Sequence, residues 1–537
     1  MNTNRIFYLT IFCLWLTTFI ATAQTSNYHH LPEVQPQTVG LSPAHLTKID
    51  DLCQEYLDKG WLPGGTILIA RQGKVAYFKS WGYSNKDTKT PYRNDDIYRI
   101  ASMTKGITTT AILQLVEQGK LRLDDPIAWY IPAFKQSKVI DTFNPKDTSF
   151  TTIAANKQIS IRHLLTHTSG IPYPFSDQQL GAIYTKHKVN NFGLSHPTAT
   201  TKEMVQQIAA QPLVHQPGEK YTYGHNTDVL GYLVEVITGQ TLGEYCRANI
   251  FEPLQLNDTY FYLPKDRADR LIPVYNEDRK KGIVMPDQTM LNYPLLGRKD
   301  HFAGGGGLSS TAADYAVFCQ MLLNGGHYNQ QRILGRKTVD LIQTDQLAYM
   351  GISPANPRNG SSFGLGFSLR TAKADAHSIG SEGTFGWGGA FNTKYWIDPK
   401  EEMVFVGMTQ IIPTLHGEFW DKLYSIIYAS LEDEASMAPP AKMDIAGDWS
   451  YKVSNTPQGN IGGNMILSKK GTSFSGYMET AGQKADLQDI RFQDSKLSFK
   501  LDYGGTVVQV NAIMESDVLK GNCSAEGADF PFVATRK

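Results

Sequence analysis

The sequence predicts an α/β chain of the α+β kind: one sheet assembled from strands near both ends of a long first region, a helical insertion between them, and a small all-β domain at the C-terminal end. Three observations carry this reading. Strand patterns stand at Thr66–Ala70 and Val75–Phe78 and return at Thr393–Ile397 and Met403–Met408, with helical and loop segments between. A stretch from Glu432 to Lys442, acidic and then marked by Ala438-Pro439-Pro440-Ala441, breaks the pattern. Beyond it Leu497, Phe499 and Leu501 alternate with Lys496, Ser498, Lys500 and Asp502, the period of short strands in a small antiparallel barrel or sandwich. A chain of 537 residues has room for two or three such bodies.

The elements follow in order. Arg5 precedes an apolar run from Ile6 to Ile20 and then Ala21-Thr22-Ala23. A charged start, a short apolar core and a small-residue exit form a cleaved secretory signal. The run falls short of the roughly 20 residues that span a bilayer. Residues 1–23 are therefore expected to be a signal peptide cut near Ala23, leaving a periplasmic or secreted protein. Ser42-Pro43 opens a helix with Leu46, Ile49 and Leu52 on its apolar side. Arg71-Gln72-Gly73-Lys74 joins the first two strands as a hairpin, and a helix around Phe419 to Leu431 closes the region. The expected division is 24–434 for the main domain, 435–442 for a linker and 443–537 for an accessory domain.

Composition narrows the function. Lys+Arg and Asp+Glu both number 51, so net charge gives no reason to expect nucleic acid or an anionic membrane surface as partner. No stretch of the mature chain is apolar enough to span a membrane. Cys53, Cys246, Cys319 and Cys523 have no metal-type spacing, and the first three stand among helix-patterned apolar residues, as buried thiols do.

Chemistry-bearing residues cluster in three segments. In Ile100-Ala101-Ser102-Met103-Thr104-Lys105, a helix starting near Ser102 would put Ser102 and Lys105 on one face. Free backbone N–H groups at that helix start suit a developing oxyanion, and the lysine could take the hydroxyl proton. In Tyr221-Thr222-Tyr223-Gly224-His225-Asn226-Thr227-Asp228, a tyrosine just before a helix could relay a proton. In Gly386-Trp387-Gly388-Gly389-Ala390, adjacent glycines would let a strand edge approach a ligand. Each segment taken singly also reads as ordinary packing, capping or turn. His163 and His167 stand four apart without a third ligand or a His-Glu-x-x-His pattern, so no metal is expected. The glycines 304–307 lack the Gly-Lys-Ser/Thr end of a phosphate loop, so no nucleotide cofactor is expected either.

In this order the three segments resemble the serine β-lactamase and penicillin-binding-protein superfamily. Arg162-His163-Leu164-Leu165-Thr166-His167-Thr168-Ser169-Gly170-Ile171-Pro172 and Gly304-Gly305-Gly306-Gly307-Leu308-Ser309-Ser310 support the match, which covers about residues 40 to 430. The resemblance implies a β-lactamase-like mixed sheet flanked by helices, an all-helical subdomain, and an active site between them. It implies Ser102 as nucleophile, Lys105 and Tyr223 as proton carriers, and an oxyanion hole from the N–H groups of Ser102 and Ala390. His225, Trp387, Gly388 and Gly389 would line the substrate, an ester, amide or β-lactam. Two departures stand out: Tyr223-Gly224-His225 in place of Tyr-x-Asn, and Trp387-Gly388-Gly389 in place of Lys-Thr-Gly. Both resemble the esterase branch, so an exported esterase acting through a covalent acyl-enzyme is expected. The alternatives are a β-lactamase, a D-alanyl-D-alanine carboxypeptidase or D-aminopeptidase-like peptidase, and a catalytically weak sensor on the same scaffold.

Overall fold

A computed structural model describes residues 31–85, 87–189, 198–278, 282–284, 293–356, 359–375, 377–432, 445–470, 473–493, 495–515 and 518–537. The expected signal peptide and the linker 435–442 lie outside the described residues. The chain divides after Leu431 into two compact units.

The first unit is built on one eight-stranded sheet. Its strands are β1 (Gly64–Arg71), β2 (Lys74–Asn85), β3 (Thr90–Pro91), β4 (Ser361–Phe363), β5 (Ser368–Arg370), β6 (Phe385–Gly389), β7 (Thr393–Asp398) and β8 (Met403–Met408). The spatial order is β4-β5-β6-β7-β8-β1-β2-β3. β1 pairs with β8, Leu68 opposite Val406, so the two ends of the unit meet at the middle of the sheet. Every neighbouring pair is antiparallel, where a mixed sheet was expected. The reason is topological. Parallel neighbours need a crossover, whereas the long helical insertion here connects β3 and β4 at opposite edges.

β1 is a continuous apolar run because both of its faces are covered. Ile67 and Ile69 pack with Ile49, Phe405, Phe419 and Leu423, between helix α1 (Pro43–Asp58) and the C-terminal helix of the unit, Glu418–Ala429. Leu68 and Ala70 join the larger core with Met103, Ile107, Phe318 and Val406. Each such aliphatic side chain contributes about 1.5–3 kcal/mol by leaving water.

That larger core holds helix α2 (Thr104–Glu117), buried continuously from Thr104 to Leu115. Against it packs α3 (Asn226–Thr238), while α4 (Ala312–Leu323) lies on β1 and β8. Among the described residues no helix is long and apolar enough to cross a membrane. Cys53, Cys246, Cys319 and Cys523 are buried free thiols.

The second unit is a nine-stranded sheet. Its strands are β9 (Gly447–Thr456), β10 (Gly459–Lys470), β11 (Ser473–Thr480), β12 (Gln483–Asp486), β13 (Gln488–Gln493), β14 (Lys496–Tyr503), β15 (Thr506–Glu515), β16 (Val518–Ala525) and β17 (Ala528–Arg536). Their order is β12-β11-β10-β9-β17-β16-β15-β14-β13. The two edge strands are consecutive in sequence, so the sheet curls into a nearly closed barrel. Trp449, Leu467, Phe499, Leu519 and Phe532 fill its interior.

Candidate active site

Ser102 stands in a single 3₁₀ turn, Ala101–Met103, that runs into α2. The residue before it, Ala101, is held at φ +42°. A residue with a Cβ meets a steric cost in this left-handed region. Ala101 is fixed there by packing with Val274 and Phe391. The half-exposed Ser102 hydroxyl lies between two partners: Tyr223 OH donates to its Oγ at 2.8 Å, and Lys105 Nζ reaches it at 3.3 Å.

Lys105 is buried, and it sits where three chain segments meet. Its amine donates to the carbonyl of Gly305 at 2.6 Å and to Tyr173 OH at 3.1 Å. Its Nζ also lies 4.8 Å from the Tyr223 ring centroid and 5.2 Å from that of Tyr173. Gly305 can do this only as glycine, since a Cβ there would stand 2.7 Å from Tyr173 OH and 2.9 Å from Asp228 Oδ2. Behind it, the Gly305 N–H donates to Asp228 Oδ1 at 2.8 Å.

Burial alone would push the Asp228 carboxyl up. The bond from His225, the charge of Lys105 and the Gly305 N–H outweigh burial and hold it below the usual carboxylate range. Tyr173 also bonds to Asp228, and burial together with that carboxylate holds its hydroxyl well above the usual phenol range. Tyr173 therefore stays a phenol that donates a hydrogen bond to Asp228 and accepts one from Lys105.

Tyr223 is aimed by the turn that leads into α3. His167 lies under it, ring centroids 4.8 Å apart, and its Nδ1 accepts from Asn226 Nδ2 at 2.9 Å and from the Gly224 N–H at 3.3 Å. Burial, with Lys105 nearby, keeps His167 far below the usual histidine range and hence neutral, as an accepting Nδ1 requires. His163 caps its own short helix by accepting from Ser160 N at 3.1 Å. Among the described residues no group of His, Cys, Asp and Glu could hold a metal ion.

His225 corrects an expectation. It was placed against the substrate, but its side chain is fully buried, with Nδ1 2.9 Å from Asp228 Oδ2 and its ring against Tyr173. The cause is Gly224, which packs so tightly on Ile171 and Pro172 that a Cβ would stand 2.0 Å from the Ile171 carbonyl oxygen. The turn thereby sends the next side chain inward.

The remaining wall is β6. Trp387 donates from Nε1 to Tyr223 OH at 3.3 Å. Gly389 comes so close to the turn before Ser102 that a Cβ would stand 2.4 Å from the Ile100 carbonyl oxygen. Ser102, Tyr223, Trp387, Gly388, Gly389 and Ala390 all line one cavity of about 670 Å³. The structure thus gathers every expected site residue except His225. It adds Tyr173, Asp228, Gly305 and His167, which the sequence reading gave no role. Tyr173 stands one residue beyond the run that ends at Pro172, and Asp228 lies within the segment already singled out, so chain neighbourhood was the available signal.

Comparison with known proteins places this arrangement. The beta-lactamase family profile matches residues 49–418. Protein Rv1367c of Mycobacterium tuberculosis is 33% identical over 373 residues, 67% of this chain and 89% of that protein. Esterase EstB of Burkholderia gladioli is 27% identical over 380 residues, 68% of this chain and 90% of that protein. Among solved structures, simvastatin synthase (LovD) from Aspergillus terreus superposes with a TM-score of 0.61 at 24% identity, covering 72% of this chain and 97% of its own, a likeness of fold.

Proposed function

The chain belongs to the β-lactamase family, and on that premise we propose that it is an exported serine hydrolase that forms an acyl-enzyme on Ser102 and takes carboxylic esters in preference to β-lactams. The observation that carries the mechanism is the Ser102 Oγ held between Tyr223 OH at 2.8 Å and Lys105 Nζ at 3.3 Å. In the neutral amine, Gly305 and Tyr173 engage the two N–H groups and leave the lone pair for the Ser102 proton. Oγ then bonds to the substrate carbonyl carbon, and the N–H groups of Ser102 and Ala390 face the resulting oxyanion. The C–O bond to the alcohol breaks. The alkoxide takes the Tyr223 proton as Lys105, beside the Tyr223 ring, returns one to the phenolate. Water repeats the sequence on the acyl-enzyme and frees the acid.

Trp387 supports the ester preference. A lysine at that place would pair with the carboxylate of a β-lactam, whereas the indole offers apolar area and one N–H, already engaged with Tyr223. The EstB likeness supports the same reading.

The test is kcat/KM for p-nitrophenyl butyrate, a chromogenic cephalosporin and a D-alanyl-D-alanine peptide on one preparation, with the mass of the Ser102 peptide read after each. The ester is expected to win and to leave an acyl adduct. A cephalosporin or peptide faster by about tenfold, roughly 1.4 kcal/mol in barrier, overturns the ester preference.

A further inference from the structure

Sheet register brings a second functional group to the same cavity. Gly388 of β6 pairs with Lys394 of β7, so the two face the same side of the sheet, while Trp387 and its partner Tyr395 face the other, toward Tyr223. The Lys394 side chain is exposed, and its Cδ lies 3.5 Å from the place where a Cβ on Gly388 would stand. The stem is therefore folded toward β6, over Gly388, which has no side chain to meet it. β5 pairs only with Phe385 and Gly386, so the edge of β6 from Trp387 to Gly389 has no strand beside it among the described residues. The cavity passes round that edge: Ser102, Tyr223 and Trp387 line it on one side of the sheet, and Lys394, Trp420 and Asp421 on the other.

Among the described residues the Lys394 amine has no hydrogen bond or ion pair. Its environment favours a visiting anion. Asp421 is the charged neighbour that favours the protonated amine, and a second negative charge would act in the same sense.

We propose that Lys394 receives an anionic group of the substrate, carried on a substituent that leaves the scissile carbonyl at Ser102 and passes over the free edge of β6 at Gly388. The inference rests on the ester-hydrolase reading and narrows it: the preferred esters have an acyl or alcohol part that ends in a carboxylate remote from the ester bond. It differs from the carboxylate recognition lost with Trp387. A β-lactam carries its carboxylate close to the ring, on the Trp387 side, where Lys394 does not reach.

The experiment compares two p-nitrophenyl esters on the full chain, the butyrate and the mono-ester of glutaric acid, which adds a terminal carboxylate. In the wild type the glutarate is expected to have the higher kcat/KM, with the advantage shrinking between about 0.02 and about 0.5 M NaCl as screening sets in. Lys394→Met should lower the glutarate-to-butyrate ratio about tenfold, Lys394→Arg should largely keep it, and Asp421→Asn should raise it by removing the opposing carboxylate. Because the result is a ratio, it is insensitive to the fraction of folded enzyme. Should Lys394→Met not fold, the Asp421→Asn ratio and the salt series decide. A ratio that is the same in wild type, Lys394→Met and Asp421→Asn overturns the role of Lys394 while leaving ester hydrolysis in place. Absence of turnover and of a Ser102 adduct with either ester overturns the hydrolase reading, and this inference with it.

Discussion

The two units of the chain bury different things. The first encloses Lys105, His167, His225, Asp228 and Asp314. Among the described residues, the second encloses no charged side chain: Trp449, Met465, Leu467, Phe499 and Phe532 make its interior. A buried polar group costs free energy unless every donor and acceptor is matched, and a buried charge costs more. The first unit meets that cost around Lys105, where Asp228, Tyr173 and the Gly305 backbone satisfy one another. The contrast teaches where to look for chemistry. A strained residue beside the serine, a buried amine and a satisfied carboxylate occur together in one body, and the other body offers a packed interior without a buried carboxylate, amine or imidazole among the described residues.

That contrast can be broken at its strongest point first. Ser102→Ala and Lys105→Ala are each expected to lower kcat on p-nitrophenyl butyrate by about 10³-fold or more, with the double variant little worse, since groups acting as a unit are not additive. Full activity in purified Ser102→Ala would remove the chemistry from this cluster.

A smaller effect tests whether the backbone of the glycine run is part of it. Gly305→Ala places a methyl against Tyr173 OH and Asp228. It should displace the carbonyl that holds Lys105 and cost on the order of 10²-fold in kcat, as small misplacements of catalytic groups do. Thermal melting should show the variant still folded, and unchanged kcat would show that Lys105 is aimed by its side-chain partners alone.

The smallest expected effect concerns the second unit. A chain ending near Ala441 should keep kcat and KM on the butyrate ester within about twofold, by the reasoning that interior polar groups mark the working body. A collapse of kcat in a truncated chain that still melts cooperatively would give the barrel a part in the site.

Much of this was legible in the sequence, for reasons of range. Ser102 and Lys105 are one helical turn apart and Tyr223 stands just before a helix, so local spacing made all three candidates, and the order of the three segments, through the family resemblance, gave them roles. The two-part organisation was legible because the hydrophobic period changes beyond residue 442. What escaped was what the chain joins from afar. Tyr173 and Gly305 lie 68 and 200 residues from the lysine they bind. His225 escaped differently. Its distance along the chain from Tyr223 was right, but the direction of its side chain is set by the contact of Gly224 with Ile171, which no local pattern encodes. The mixed sheet was an expectation from the family resemblance, and no local pattern could test it: strand patterns are local, while the partner each strand finds depends on where a long insertion returns.

Ala101 bears on attempts to toughen this protein against heat. Its backbone at φ +42° is an obvious target, because glycine tolerates that conformation without the methyl's penalty of about 1 kcal/mol. The relief would be offset by the larger freedom of glycine in the unfolded chain. It would also slacken the one peptide unit that aims the Ser102 N–H and hydroxyl. Thermostable forms are therefore better sought in the loops and on the surface, with the tension beside the nucleophile left as it is.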